Sequence, residues 1–527
     1  MHAYRYFLNR NKNGDGFREL LNGRIFVDKT GIIDEINHRI STKEKWICIS
    51  RPRRFGKTTV LETLAAYYTK GISTEDLFKH LNASDIKTFY KHLNAHNVIS
   101  VNFNDYFCKN QTANDGIALF SSRLIEDLHN TFPDVPCESN DLPLYLDMIC
   151  QINGEKFIFL IDEWDAIFRI KREEKEEQEY FLEFLRRLFK DKDYIELVYM
   201  TGILPVKKYN TGSALNMFQE FTMLTPKKFA PYFGFTEKEI SRLCTELNSP
   251  SFDELKEWYN GYIMEGYEPV YNPRSVVEAF SEGKCEDYWN KTGGYSELEE
   301  YITQNFDGLR EAIIQMLAGN EVEVNVLGFS NDLNSFQDKD EILTALIHLG
   351  YLTCKNGKAR IPNREIAEEF TNSVKRLSWG TVTRLLKQSR KLLEATWKKD
   401  TDTVAALLEE VHDDMQEFKE YNNEHTLKCV IHLAYYAAQD DYSLQFEEPA
   451  GKGIADCLMI PRRKGIPGII VELKYDQSPE DAIEQIKQKQ YVKKLEHTAE
   501  KVLLTGINYC KKTKKHQCRI EELMLHQ

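Results

Sequence analysis

The chain is 527 residues long, 42% hydrophobic and 29% charged, which is too long for one ordinary domain and balanced like a soluble globular protein. Its net charge of −13 excludes a histone-like coat of positive charge, but not a nucleic-acid enzyme that gathers its basic residues in one groove. No apolar run of about 18 residues offers a membrane span. The opening MHAYRYFLNRNKNGDG has no apolar signal core, and eleven scattered cysteines without a CxxC pair predict reduced thiols in a cytoplasm.

In chain order, the first pattern is NRNKNGDGFREL. Asn9, Asn11, Asn13 and Gly14 copy EF-hand spacing, but Leu20 stands where the terminal glutamate is required, so the segment is read as a surface turn. KWICIS (45–50) predicts a buried strand, the basic loop RPRRFGKTT follows, and TTVLETLAAYY predicts a helix. His92 and His96 stand at i, i+4, without a following glutamate or a third ligand, and are read as exposed helix residues. VISVNF, KFIFLIDEW and YIELVYMTG predict three more strands, with a solvent-facing helix start in KREEKEEQEYFLEFLRRLF. Buried strands alternating with helices predict an α/β domain with a largely parallel sheet.

From about 236 to 380 helical patterns dominate, and Thr236 with Glu239 forms a capping box at the first helix. Beyond 381, long helices run to about Gln439. SLQFEEPAGKGIADCLMI and GIPGIIVELKY then predict two strands joined by a PRRKG turn. SPEDAIEQIKQKQYVKKL predicts a helix and KVLLTGINY a third strand. The expected domains are 1–235, 236–380 and 381–527.

Two stretches carry chemistry. In the first, a loop of Arg53, Arg54, Phe55, Gly56, Lys57, Thr58 and Thr59 lies between a strand and a helix. That is where backbone amides and a helix dipole receive phosphates. Gly56 permits close backbone approach, Lys57 reaches the β- and γ-phosphates and Thr58 ligates Mg²⁺. Arg51 stands where a P-loop has its first glycine. Arg53 and Arg54 either steady phosphate charge or are solvated. FIFLIDEWD runs from apolar residues into Asp162, which would hold the Mg²⁺ shell, and Glu163, which would orient the attacking water. Thr201, ending the next strand, is a candidate γ-phosphate sensor. In the second stretch, Asp456 opens an apolar strand, and Glu472 and Lys474 lie two apart on the next strand, hence on one face. Two carboxylates there suit Mg²⁺, which prefers oxygen ligands. The lysine would position water or stabilise the charge of a pentavalent phosphate. The lysines of CKKTKKHQC, with Lys493, Lys494 and Arg519, either neutralise phosphates beside this site or form a solvated basic tail.

FVDKT, SRPRRFGKTT, LIDEWD and MTGILPV together resemble the AAA-ATPase-like family found with C-terminal nuclease domains. In that family the arginine at the first-glycine position is the usual residue. The resemblance implies an ASCE/AAA-like P-loop ATPase with a helical lid region. Ala166 and Ile167 depart from the family pattern, which has a proline after its DEYDK motif. GKGIADCLMI…GIIVELKY resembles the PD-(D/E)xK nuclease superfamily, which implies a C-terminal α/β nuclease-like domain. The same resemblance puts Glu448, Gln485 and Tyr491 near the site, with Glu424, and less so His425, on an entry helix. The expectation is an ATPase coupled to Mg²⁺-dependent cleavage of nucleic acid, with DNA as the substrate the resemblance implies. ATP and Mg²⁺ are the cofactors, no membrane is involved and self-association is open. The alternatives are a nucleotide-dependent switch or scaffold that binds nucleic acid without cutting it, and a nuclease whose P-loop binds ATP for stability alone.

Overall fold

The computed structural model describes residues 4–525 except 109–110, 138–139, 207–214, 290–295, 305, 307, 330–335, 378, 416–430 and 451–452. Its contacts divide the chain into two compact units, Met1–Gly294 with Glu323–Glu369, and Tyr295–Val322 with Phe370–Gln527. The stretch 236–380 is thus shared between the units. Among the described residues no helix is long and apolar enough to cross a membrane.

The first unit is built on five parallel strands. β1 (Trp46–Ser50), β2 (Asn97–Asn102), β3 (Phe157–Asp162), β4 (Ile195–Gly202) and β5 (Gln219–Phe221) stand in the order β2-β3-β4-β1-β5. β1 and β3 are buried along their whole length, as continuous apolar runs in a sheet covered on both faces should be. The loop strand β1 does not touch the acidic strand β3, because β4 lies between them. β5 went unforeseen because its three residues, Gln-Glu-Phe, carry no apolar run. Helix α1 (Lys57–Tyr68) follows β1.

The segment before β1 is tied down by polar residues. Asn9 and Asn13 are buried, contrary to the expected surface turn: the Asn9 amide bonds Asn97 at 3.0 Å and accepts from the Val98 amide at 2.8 Å, and Asn13 donates to Thr69. Buried backbone groups need partners, and Asn9 supplies one to the Val98 amide. In FVDKT, Asp28 accepts from the backbone and hydroxyl of Thr30 and from the Asn82 amide. Lys29 donates to both Glu239 carboxylate oxygens at 2.8 Å, and Glu239 in turn completes the capping box with Thr236. His92 is buried rather than exposed. Its helix is a single turn (Phe89–His92), and it bonds His96 at 2.9 Å, which bonds Glu196 at 2.7 Å.

The second unit carries a mixed five-stranded sheet. Strands β6 (Tyr442–Ala450), β7 (Gly453–Pro461) and β8 (Gly468–Tyr475) are antiparallel neighbours. β9 (Lys501–Cys510) runs parallel to β8, and β10 (Lys515–Met524) closes the edge antiparallel to β9. Helix α2 (Pro479–Lys489) joins β8 to β9, started by a capping box of Ser478 and Asp481. It packs Ile483 and Ile486 on Leu458, Ile470 and Leu504. Two expectations are corrected. SLQFEEPAGKGIADCLMI is not one strand but the two strands β6 and β7. The basic tail is a hairpin turn leading into β10, an edge strand whose largely exposed residues give no buried-strand pattern.

Candidate nucleotide and metal sites

A cavity of about 840 Å³ opens at the C-terminal ends of the first sheet, walled by the loop 53–60, Glu163 and Arg169, and by Phe26, Phe235 and Val277. Gly56 is needed for its φ of +83°, which side chains rarely adopt, and not for space, since a Cβ there would meet nothing within 4 Å. Arg54 and Glu163 also have positive φ, at 71° and 52°. Such strain persists where surrounding structure enforces it, and it gathers at ligand sites.

The predicted residues meet around Asp162. Its two oxygens accept from Thr58 Oγ1 at 2.7 Å, Thr201 Oγ1 at 2.5 Å and the Glu163 amide at 3.0 Å. Strand order explains Thr201: β4 separates β1 from β3, so its end residue falls beside Asp162. Lys57 is buried, and its Nζ donates to the carbonyls of Arg51 and Pro52 at 3.0 and 2.9 Å. Burial presses its pKa below the usual lysine range, opposed by Glu163 and Asp162. Glu163 pairs with Arg169, and burial raises its pKa. Arg53 and Thr59 line the cavity. The Phe55 ring packs into the core against Tyr262. Arg54 donates to the Tyr288 carbonyl at 2.6 Å and lies over Trp289. The backbone amides of Tyr288 and Trp289 are held in turn by the buried carboxylate of Glu365, which also accepts from Ser275. Burial pushes the Glu365 pKa up to about 8.

Sequence reasoning missed three residues here. Arg51 is fully buried. It donates to the Ser50 and Phe221 carbonyls at 2.8 and 2.7 Å and lies over the Phe233 ring. Asp165 is buried and accepts from the Ile203 and Leu204 amides at 2.9 Å, anchoring the chain after β4. Arg169 holds Glu163. The acidic run DEWD was the available signal for Asp165; the first-glycine position marked Arg51 but not its inward turn, and nothing local signalled Arg169.

In the second unit, Cys457 pairs with Val471 across β7 and β8, so one step on Asp456 comes opposite Glu472. Asp456 accepts from the Leu473 amide at 2.9 Å. Glu472 is 3% exposed, and its Oε2 is buried without a hydrogen-bond partner. Lys474 Nζ lies 3.7 Å from Glu472 Oε1 and donates to Gln485 Oε1 at 2.6 Å. The Gln485 amide donates to Glu472, and to the Tyr491 hydroxyl at 3.4 Å. α2 thus brings Gln485 to the same face as the strand residues, with Tyr491 beyond. Burial, then Asp456, push the Glu472 pKa up to about 8. Glu448 pairs with Ala455 in the β6–β7 register, while Glu424 and His425 lie outside the described residues. A buried carboxylate with one oxygen lacking a donor, beside the half-buried carboxylate of Asp456, can hold a divalent cation.

Residues 15–211 match the family described as predicted AAA-ATPase, and residues 422–518 match the PD-(D/E)XK nuclease superfamily. The chain therefore joins an ATPase-like and a nuclease-like segment. An uncharacterised protein in the vnfD 5′ region of Azotobacter chroococcum mcd 1 is 25% identical over 62% of this chain, which spans 60% of that relative's length. A Walker-type ATPase of Pyrococcus abyssi has TM-score 0.34 and 14% identity, over 65% of this chain and 94% of its own. Cdc6p of Pyrobaculum aerophilum has TM-score 0.25 and 12% identity, over 66% and 93%.

Proposed function

We propose that the protein binds and hydrolyses ATP and that its C-terminal module cuts a phosphodiester bond of nucleic acid, DNA in the first instance, using Mg²⁺. The observation that carries this reading is the convergence of Asp456, Glu472, Lys474 and Gln485 with one buried carboxylate oxygen left unpartnered. The residues fit a hard divalent ion: Asp456 and Glu472 would hold it, relieving the cost of burying Glu472. Such an ion supplies Lewis-acid activation of the phosphate and a hydroxide at neutral pH. Lys474 stands ready to stabilise charge that develops on the phosphate, and Gln485 orients both Lys474 and Glu472.

At the nucleotide site, Lys57 would exchange two carbonyls for the β- and γ-phosphates, and the first amides of α1 would receive the phosphate oxygens. Thr58 and Asp162 fit the Mg²⁺ shell of the nucleotide. Thr201 holds Asp162 in position, and Glu163 would orient the attacking water. One observation favours ATP binding with slow turnover, as a nucleotide-dependent switch would use. Glu163 is paired with Arg169, which withdraws the carboxylate from water until that pair opens.

The test is a cleavage assay on single- and double-stranded DNA and RNA with Mg²⁺ or Mn²⁺, with and without ATP. Lys474→Ala is expected to abolish cutting and leave ATP turnover intact; Lys57→Ala is expected to abolish ATP binding. A protein that cuts nothing under any of these conditions overturns the nuclease reading in favour of the switch. Cutting that is indifferent to Lys57→Ala would leave ATP a role in stability alone.

A further inference from the structure

The second sheet ends in a feature that the metal site does not use. β9 and β10 are joined by a tight turn, with Cys510 paired to Lys515 across its base. The turn and its last flank read Lys511, Lys512, Thr513, Lys514 and Lys515, all exposed. Four ammonium groups within five residues repel one another, and they do so in a chain whose net charge is −13.

The neighbouring cations are treated differently. Arg519 pairs with Glu480 at 3.2 Å and Glu521 at 3.0 Å, and Lys487 pairs with Glu521 at 2.5 Å. Lys501 and Lys399 share Glu522 at 3.3 and 3.5 Å. Acidic partners thus follow the basic residues along the body of the β9–β10 hairpin and stop at its tip. Among the described residues, the side chains of Lys511, Lys512, Lys514 and Lys515 make no ion pair or hydrogen bond. The nearby Asp476 is occupied: its carboxylate accepts from the Lys511 backbone amide at 2.7 Å. That bond fixes the root of the turn to the end of β8.

Position supplies the third element. β8 and β9 run parallel with Lys474 opposite Asn508 and Tyr475 opposite Tyr509. The turn therefore projects off the same end of the sheet as Lys474, about 10 Å further on at roughly 3.3 Å per residue. On a nucleic-acid strand with a phosphate every ~3.4 Å along the duplex axis, that is about three phosphates away.

We infer that the 511–515 turn is a backbone clamp for the nucleic acid that reaches the Asp456–Glu472–Lys474 site. Its lysines contact sugar–phosphate oxygens about three steps from the bond to be cut. Lysine suits this use: it is a compact, mobile point charge that contacts phosphates without reading bases. The inference rests on the proposed nuclease reading and adds the surface that holds the substrate.

The experiment uses the full chain carrying Lys474→Ala, so that bound nucleic acid stays whole. Affinity for short DNA and RNA duplexes and single strands is measured from about 50 to 200 mM salt. Replacing all four lysines by alanine is expected to flatten the slope of log affinity against log salt for duplex DNA by about 3 to 4, and to weaken binding roughly tenfold to a hundredfold. Arginine at the four positions should restore both. In the chain that keeps Lys474, the four alanines should raise the protein concentration needed for half-maximal cleavage by the same tenfold to a hundredfold, roughly. An unchanged slope overturns the clamp while leaving the nuclease reading standing, provided the unaltered chain cuts. A chain that neither binds nor cuts nucleic acid overturns both. Unchanged nucleic-acid affinity with lost binding to vesicles of anionic phospholipid assigns the turn to a membrane surface and overturns the clamp.

Discussion

The two candidate sites handle buried charge in opposite ways. At the nucleotide site Asp162 and Lys57 are answered from within the protein: two threonine hydroxyls and an amide face the carboxylate, and two carbonyls face Lys57. Around Glu472 the protein leaves a deficit, with one buried oxygen unpartnered and a second carboxylate alongside. A site complete in itself can be stable while empty and change shape when ligand displaces its internal partners. A site with a deficit depends on what binds it.

The largest effect expected from this contrast is at Glu472. Glu472→Gln should lower metal-dependent cleavage at least about a hundredfold, since even residues behind a metal ligand are worth ten- to a hundredfold. In metal-free buffer the same change should raise the melting temperature, and saturating Mg²⁺ should reverse the order of the two proteins. A less stable metal-free variant would remove the contrast.

Glu365 sharpens the comparison, because it is a buried carboxylate whose charge no metal site explains. Its folded pKa of about 8 exceeds its ordinary value of 4.5, so the folded protein keeps the proton across that window and stability falls as pH rises through it. Glu365→Gln should match the parent near pH 4 and exceed it by up to about 5 kcal/mol at pH 9, with no response to Mg²⁺. Denaturant melts at the two pH values decide this.

Asp162→Asn should move stability the other way from Glu472→Gln, costing about 2–3 kcal/mol without nucleotide, because an amide would face donors with a donor. Calorimetry of the nucleotide-free protein reads it directly; a neutral result would show that the Asp162 network forms only with ligand. The smallest effect is expected at Lys29. Lys29→Met should cost about 1–2 kcal/mol by freeing Glu239 from the segment before β1, measurable as a loss of melting temperature.

Much of this was legible in the sequence for physical reasons. β1, β3 and β4 are buried apolar runs, and the residues that end them, with those of the adjoining loop, form the Asp162 network. Alternation placed Glu472 and Lys474 on one face. Illegible were features set by distant chain. Whether Arg51 turns inward depends on β5 and Phe233, some 170 residues away, and β5 has no pattern of its own. Asn9 and Asn13 look like turn residues, and they became buried pins because β2 offered Asn97 and the Val98 amide to one and the end of α1 offered Thr69 to the other. His92 pairs with His96 because its helix is one turn long, a boundary that i, i+4 spacing assumes away. The basic hairpin hid because its edge strand is largely exposed and fully buries only His516, so its hydrophobic period is weak.

Arg51 has a consequence for how such loops are recognised and altered. Where a glycine would leave room, this chain sets a cation among β1, β5 and an aromatic ring, so the position has become part of the interior. Restoring glycine would make the loop look more familiar while opening a void and stranding two carbonyls beneath it. Resemblance to a consensus and fit to this fold therefore point in opposite directions at residue 51.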